Sequence, residues 1–135
     1  MVDNQFLVNV RKEFEFLVND YGFQFCCTGD YCVEYVNLTT KVRVEGINWG
    51  LNSRVAFGTL QPKFENLDLF DVIFASHKIN IHIKESYNQI EQLSIYSGLI
   101  KLYASPVLTG NVDCFDEAKK RVQRRRELFK HKSGI

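Results

Sequence analysis

The sequence predicts one α+β domain over residues 1–135. In it an N-terminal helix, an antiparallel meander of four or five strands, and two to three C-terminal helices pack together. Three observations support this fold class. Apolar residues follow helical spacing up to Tyr21, alternate between Phe23 and Leu60, and return to helical spacing beyond Pro62. The chain has 135 residues, 45% of them hydrophobic, which is enough to bury one core. No repeat or low-complexity tract divides the sequence.

The first helix is predicted to begin at Asp3, whose side chain would cap it, and to end at Gly22. Glycine suits the left-handed backbone that commonly closes a helix, because it has no Cβ atom. The stripe expected to be buried consists of Phe6, Leu7, Val10, Phe14, Leu17, Val18 and Tyr21.

Short turns separate four predicted strands between residues 23 and 60. The strands cover 23–27, 31–36, 41–47 and 53–60, and the turns "TGD", "NLTT" and "NWGLN" join them. In the third strand Val42 and Val44 are expected to face inward and the charged residues between them outward. Connections this short indicate antiparallel pairing, with the first helix covering the packed face.

Two assignments stay open in the segment 67–84. "LDLFDVIFAS" (67–76) has the composition of a short apolar helix or of a buried strand, and its length does not decide between them. "HKINIHIK" (77–84) alternates isoleucine with polar residues, which allows a fifth strand.

Helices are expected again from Ser86, which forms a potential capping box with Gln89. The apolar stripe of this helix is Ile90, Leu93, Tyr96, Ile100 and Tyr103, and Pro106 closes it. Gly98 in its middle costs about 1 kcal/mol relative to alanine, so we expect another element to pack closely there. Asp113 is expected to cap the last helix.

The formal charge of +1 hides an acidic body with a basic end. Residues 1–117 carry nine Lys or Arg against fifteen Asp or Glu, whereas residues 118–135 carry eight against one. The basic residues that would form a nucleic-acid face are Lys119, Lys120, Arg121, Arg124, Arg125, Arg126 and Lys130. A charge run alone is weak support for such a face, so a solvated helix is the favoured interpretation. A third interpretation is that the basic helix lies against the acidic body.

Acidic residues at helical spacing give the body a candidate protein-binding patch. Glu65, Asp68 and Asp71 lie on either side of apolar residues, and Glu85 follows near the next helix. Complementary charge on a cationic partner would give speed and specificity of binding. Trp49 is a candidate anchor in its loop, because tryptophan is enriched among interface hot spots. The alternatives are acids that favour a helix dipole and a tryptophan folded over the sheet edge.

No catalytic motif, phosphate-binding loop or metal-ligand spacing occurs in the sequence. His77, His82 and His131 belong to no nucleophile or metal motif. The four cysteines, Cys26, Cys27, Cys32 and Cys114, include a vicinal pair but no zinc spacing. The sequence therefore predicts a protein that is not an enzyme and that uses no cofactor and no metal. Enzymatic activity would have to come from carboxylates or from a reactive Cys27 or Cys32.

Cytoplasmic localisation is the expectation. The first sixteen residues carry charges every few positions, unlike the apolar region of a signal peptide. No apolar run approaches the roughly 18 residues of a membrane-spanning helix, so no membrane association is predicted. The cysteines are accordingly expected to be reduced thiols.

Two short segments carry a resemblance to a known family. "DYGF" (20–23) ends the first helix, and "LSIYSGLIKLYASPVLTGN" (93–111) forms a late helix in which Leu99, Tyr103 and Val107-Leu108 lead into a glycine-containing turn. With the order of elements, this resembles the small cytoplasmic immunity proteins of bacterial polymorphic-toxin and contact-dependent growth inhibition systems.

The resemblance implies a protein without chemistry of its own that binds the C-terminal domain of a cognate toxin, usually a nuclease, and blocks it. An acidic body would suit a nuclease that is basic where it holds nucleic acid. No contact residue follows from the resemblance, so Glu65, Asp68, Asp71, Glu85 and Trp49 are chosen by charge and expected exposure. An exposed strand edge would also allow a homodimer. The alternative function is a nucleic-acid-binding accessory protein that uses the basic helix.

Overall fold

A five-stranded antiparallel sheet with helices before and after it makes up the described structure, which confirms the predicted α+β class. The computed structural model describes residues 5–47, 52–60, 64–79, 81, 87–109 and 112–132. In chain order the elements are α1 Gln5–Glu13, α2 Glu15–Tyr21, β1 Gln24–Gly29, β2 Cys32–Val36, β3 Thr40–Ile47, β4 Asn52–Thr59, β5 Leu67–Asp68, α3 Leu69–His77, α4 Gln89–Tyr103, α5 Ser105–Leu108 and α6 Val112–Lys132.

The N-terminal helix is interrupted at Phe14, where a single helix was predicted. Phe14 leaves helical geometry, with φ −108° and ψ 13°, although its amide still donates to the Val10 carbonyl at 2.9 Å. Of the predicted stripe, Leu7 and Tyr21 are half-buried, Val18 is exposed, and the others are buried. Gly22 ends α2 at φ 70°, as predicted, and its amide donates to the Leu17 carbonyl. The predicted cap Asp3 lies outside the described residues.

The sheet runs in the order β1-β2-β3-β4-β5, and its inward rows are built as predicted. Val42 lies between Tyr35 and Phe57, and all three side chains are buried. The fifth strand is Leu67–Asp68, which pairs with β4. A fifth strand at 77–84 is therefore wrong for its described part: 77 ends α3, while 78, 79 and 81 lie in no strand. Residues 80 and 82–84 lie outside the described residues.

Segment 67–76 contains both a short strand and a helix, the two structures that its composition allowed. Its first two residues pair with β4, and the rest forms α3. The Asp68 side chain accepts a hydrogen bond from the Phe70 amide at 3.0 Å and so caps the helix. At the other end Lys78 adopts φ 58°, and its amide donates to the Phe74 carbonyl.

Helix α4 begins two residues later than the capping box at Ser86 predicts. Asn88 is the cap: its Oδ1 accepts from the Glu91 amide at 2.9 Å, and Glu91 Oε1 accepts from the Asn88 amide at 3.1 Å. Ser86 lies outside the described residues. Ile90 falls in the first turn, on the side of the helix that faces solvent, and is exposed. Its predicted place on the buried stripe is therefore wrong.

The helices and the inward face of the sheet share one apolar core. Its largest fully buried side chains come from all six described helices, from strands β2 and β4, and from the residues beside them, and they include Phe14, Tyr35, Phe57, Ile73, Ile100, Leu108 and Phe115. Tyr35 shows how complete the burial is: its hydroxyl donates to the Val10 carbonyl at 3.5 Å, and burial raises its pKa above the ordinary value.

Alanine at two glycines should change stability in opposite directions. A Cβ atom on Gly58 would collide with the Phe64 ring and lie 2.7 Å from the Glu65 amide nitrogen, whereas one on Gly98 would meet nothing within 4 Å. The close approach expected at Gly98 is therefore wrong. We expect Gly58→Ala to lower the free energy of unfolding by about 1–3 kcal/mol through overpacking. We expect Gly98→Ala to raise it by about 1 kcal/mol through helix propensity.

Urea unfolding of the parent chain and of both variants measures the two changes in the free energy of unfolding. Equal effects of the two substitutions would contradict the packing around β4 described here, because both replace glycine by alanine and differ only in surroundings.

Candidate interaction site on helices α3 and α6

A buried carboxylate joins the acidic body to the basic helix. Asp71 lies in the first turn of α3 and is 5% exposed. Its Oδ1 accepts from Arg121 Nε at 3.0 Å, and its Oδ2 accepts from Arg125 Nη2 at 2.7 Å. The two arginines are four residues apart, so they project from the same side of α6. The structure thus has the arrangement of the third interpretation above, a basic helix lying against the acidic body.

Glu65 is also engaged within the chain. Its Oε1 accepts from the Thr59 amide at 2.9 Å and from the Thr59 hydroxyl at 2.7 Å, while Oε2 lies 3.8 Å from Lys119 Nζ. These contacts secure the connection that follows β4. They leave the Glu65 carboxylate little accessible surface.

Asp68 has a third role, as the cap of α3. Its carboxylate lies 3.4 Å from Arg54 Nε and accepts from the Phe70 amide. Burial nevertheless raises the pKa of Asp68 above its usual range, outweighing these two contacts, which lower it. The three acids at helical spacing therefore serve three different local structures. Glu85 and Trp49, the other two candidates for partner binding, lie outside the described residues.

Intramolecular pairing divides the predicted nucleic-acid face. Arg121 and Arg125 bind Asp71, Lys119 approaches Glu65, and Lys120 lies 3.5 Å from Glu117. The remaining members are Arg124 and Arg126, both exposed and without an ion pair to the described residues, and Lys130, whose side chain is not described. Helical spacing places Arg124 and Arg126 on different flanks of α6.

The outward face of the sheet carries a network of ion pairs between neighbouring strands. The sequence shows these charged residues only as the polar half of an alternating pattern. Arg43 donates to Glu34 from Nε at 3.0 Å and from Nη2 at 2.9 Å, across neighbouring strands. The Arg43 guanidinium also lies 4.5 Å from the centre of the Phe64 ring. Arg54 lies between Glu45 and Asp68. Cross-strand pairs of this kind stabilise the sheet.

A groove lies between α3 and α6, with a volume of about 320 Å³. The lining residues are Phe74, Ala75, Lys78, Glu117, Arg121, Arg124, Arg125 and Leu128. The Arg121 guanidinium lies 3.8 Å from the centre of the Phe74 ring, and Lys78 Nζ lies 5.7 Å from it. Sequence reasoning missed this groove because its walls come from two distant segments. Its one signal was Leu128, an apolar residue in a basic run, which is 63% exposed.

The two segments that carry the family resemblance meet at one corner of the molecule. The turn between β2 and β3 lies between them: Asn37 Nδ2 donates to the Leu108 carbonyl at 3.2 Å, and Thr40 Oγ1 donates to the Val107 carbonyl at 3.2 Å. Asp20, Tyr21 and Gly22 line the same cleft as Leu108 and Thr109. At its rim Leu38 is 96% exposed. The two hydrogen bonds therefore tie the turn to α5, and the end of α2 borders the same cleft.

Among the histidine and cysteine side chains that the structure describes, His77 and Cys27 make local hydrogen bonds. The His77 Nε2 atom lies 3.0 Å from the Tyr103 carbonyl oxygen, which ties the end of α3 to α4. Cys26 and Cys27 are exposed free thiols, and Cys32 is a half-buried one. Within the described residues, no three His, Cys, Asp or Glu side chains come together in a way that would hold a metal ion.

No protein-family model, curated protein or solved structure matches this chain. Among the described helices, none combines the length and apolar composition needed to cross a membrane.

Asparagine at Asp71 and at Asp68 should have different effects on the free energy of unfolding, because the first carboxylate binds α6 and the second caps α3. We expect Asp71→Asn to lower the free energy of unfolding by about 1–3 kcal/mol, because it removes the charge that two arginines bind at a buried position. Asp68→Asn should leave stability at neutral pH unchanged or slightly higher, since asparagine caps equally well and carries no charge to desolvate.

The pH dependence of the second variant provides a further check. A carboxyl with a raised pKa in the folded state contributes stability at low pH and loses it as pH rises through that pKa. The stability of Asp68→Asn relative to the parent chain should therefore increase as pH rises from below the usual carboxyl range to neutrality. Urea unfolding measured at several pH values tests this, and equal losses for the two variants would contradict the distinction between the sites.

Proposed function

We propose that this chain is a protein-binding inhibitor, an immunity protein that acts in the bacterial cytoplasm by binding the toxic domain of a cognate toxin, with a nuclease as the favoured class. One observation carries the proposal: residues 20–22 and 107–109, which belong to the two segments that carry the resemblance (20–23 and 93–111), lie around a single turn. Their residues have structural roles, as a shared pattern requires when the fold is common to a family and the binding surface differs among its members.

Ion pairing within the chain favours protein binding over the nucleic-acid alternative. Lys119, Lys120, Arg121 and Arg125 all lie near carboxylates of the same molecule. A phosphate backbone would have to compete with these carboxylates, and its affinity depends on the number of cations that it can engage. An Asp71 carboxylate in this cluster would also repel phosphate.

Exposed apolar side chains support a binding role. Leu38, Leu102 and Leu128 are the most exposed large hydrophobic residues among those described. Apolar anchors surrounded by polar groups are typical of protein interfaces, where a few residues contribute most of the affinity. Inhibition by such a protein requires no chemistry, because covering the active site of the toxin or a surface that it needs is sufficient.

Co-expression with the toxin domain encoded just upstream tests the proposal. We expect the chain to restore growth and to co-purify with the toxin domain as a stoichiometric complex, because direct binding is the mechanism of neutralisation. Neither complex nor rescue would overturn it. The predicted contact residues are tested in the same assay: Trp49→Ala and Glu85→Gln should weaken the complex about tenfold or more if they are hot spots.

Retention on heparin distinguishes the alternative function. If the chain binds nucleic acid, retention should be salt-sensitive and should fall when Arg124→Glu and Arg126→Glu are combined. These two positions are suitable because they form no ion pair to the described residues, so charge reversal leaves the anchoring of α6 intact. A toxin complex formed by the parent chain, together with no retention of the parent chain on heparin, supports protein binding.

A further inference from the structure

The groove between α3 and α6 combines an apolar floor with a cationic rim. Phe74 and Ala75 are half-buried in α3, Leu128 projects from α6, and Lys78 and Arg124 are exposed beside them. We propose that this groove is the docking site for an acidic segment of the protein partner, in which a carboxylate stands beside an apolar side chain. The proposal deepens the proposed function and rests on it for the identity of the partner, while the chemistry of the segment follows from the groove.

The charge of the groove favours an occupant that is negatively charged. The groove has four cationic side chains, Lys78, Arg121, Arg124 and Arg125, against Glu117 in the lining and Asp71 behind it. Cations therefore remain in excess after the internal pairs are counted. Arg125 binds Asp71 through Nη2 while 60% of its side chain is exposed, so the guanidinium, with five donors, can bind a second carboxylate.

Asp71 also prepares the site. By holding the Arg121 and Arg125 side chains in fixed positions, it removes part of the conformational entropy that a binding partner would otherwise have to overcome. Arg121 is further fixed by its contact with the Phe74 ring. The Arg121 and Arg125 part of the cationic rim is consequently ordered before any partner arrives.

The floor requires an apolar group in the occupant. Leu128 is 63% exposed, and an apolar side chain lying between it and Phe74 would remove its surface from water at about 25 cal/mol per Å². A volume of about 320 Å³ is small for a ligand site and suits one or two side chains of a peptide. Acidic and apolar groups side by side thus match the groove.

The groove suits a peptide better than a nucleic acid. Single-stranded nucleic acids bind where aromatic faces are open for base stacking. Here the Arg121 guanidinium already lies over the Phe74 ring, and Glu117 within the lining would repel phosphate.

Titration of the ¹⁵N-labelled full chain with a synthetic peptide tests the proposal. The probe alternates glutamate with leucine and phenylalanine, and its control has glutamine in place of every glutamate. We expect the amide shifts caused by the acidic probe to cluster at Ala75, Lys78, Arg124 and Leu128. The glutamine peptide should bind at least about tenfold more weakly, since charge complementarity is absent.

Matched double variants locate the binding. Lys78→Glu combined with Arg124→Glu should weaken the acidic probe about tenfold or more. Lys12→Glu combined with Lys101→Glu makes the same change in net charge on exposed residues elsewhere and should leave binding within about twofold. Shifts away from the groove, equal binding of both peptides, or equal loss in both double variants would overturn the proposal. So would an oligonucleotide or a second copy of the chain that occupies the groove when the acidic probe does not.

The same variants separate this proposal from the proposed function. If the parent chain and Lys78→Glu with Arg124→Glu neutralise the toxin domain equally, the groove is not the docking site and the proposed function stands. If the parent chain neutralises nothing but binds the acidic probe in the groove, the toxin assignment fails and the groove remains a peptide-binding site. Loss of neutralisation in the groove variant alone supports both.

Discussion

The contact of Asp71 with Arg121 and Arg125 holds helix α6 against helix α3 in one orientation. A carboxylate that is 5% exposed must be paired, and both of its oxygens accept from guanidinium groups on α6. This fixes the rotation of α6 about its axis. Phe115 and Ala118 then enter the core, and Leu128 lies at the surface beside α3. The groove is thus a consequence of the ion pair, because a different rotation of α6 would place different residues opposite Phe74.

Elements whose signals are local could be predicted from the sequence, and those that depend on distant partners could not. Alternation alone predicts the burial of Val42 and Val44, and Gly22 ends its helix for a reason contained in the residue itself. In contrast, the pairing of Leu67 and Asp68 with β4 depends on the path of a connection and has no periodicity to reveal it. The start of α4 was misplaced because Ser86 and Asn88 both suit a cap, and only the hydrogen bonds with Glu91 decide between them.

In the candidate site, too, some features have local sequence signals and others depend on distant parts of the chain. Charge segregation and the spacing of Arg121 and Arg125 can be read from the sequence, and the spacing indicates correctly that these two arginines share a side of one helix. Burial cannot be read from it. Glu65, Asp68 and Asp71 have regular spacing, but they belong to a connection, a short strand and a helix, so their side chains diverge into separate contacts. Lys78 joins the groove through the fold alone, since it lies more than forty residues from Arg124.

Internal neutralisation changes what the charge of this chain indicates about a partner. An acidic body and a basic helix, taken separately, each suggest long-range attraction of an opposite charge. Because α6 engages Asp71 and Glu65, that field is partly cancelled where the two surfaces meet, and recognition there depends on groups at close range. Apolar contact at Phe74 and Leu128 would then supply the affinity, while the remaining cations would orient the partner and reject a segment of the wrong sign. A complex of this kind should respond only moderately to salt, unlike one held by an uninterrupted row of cations on phosphate.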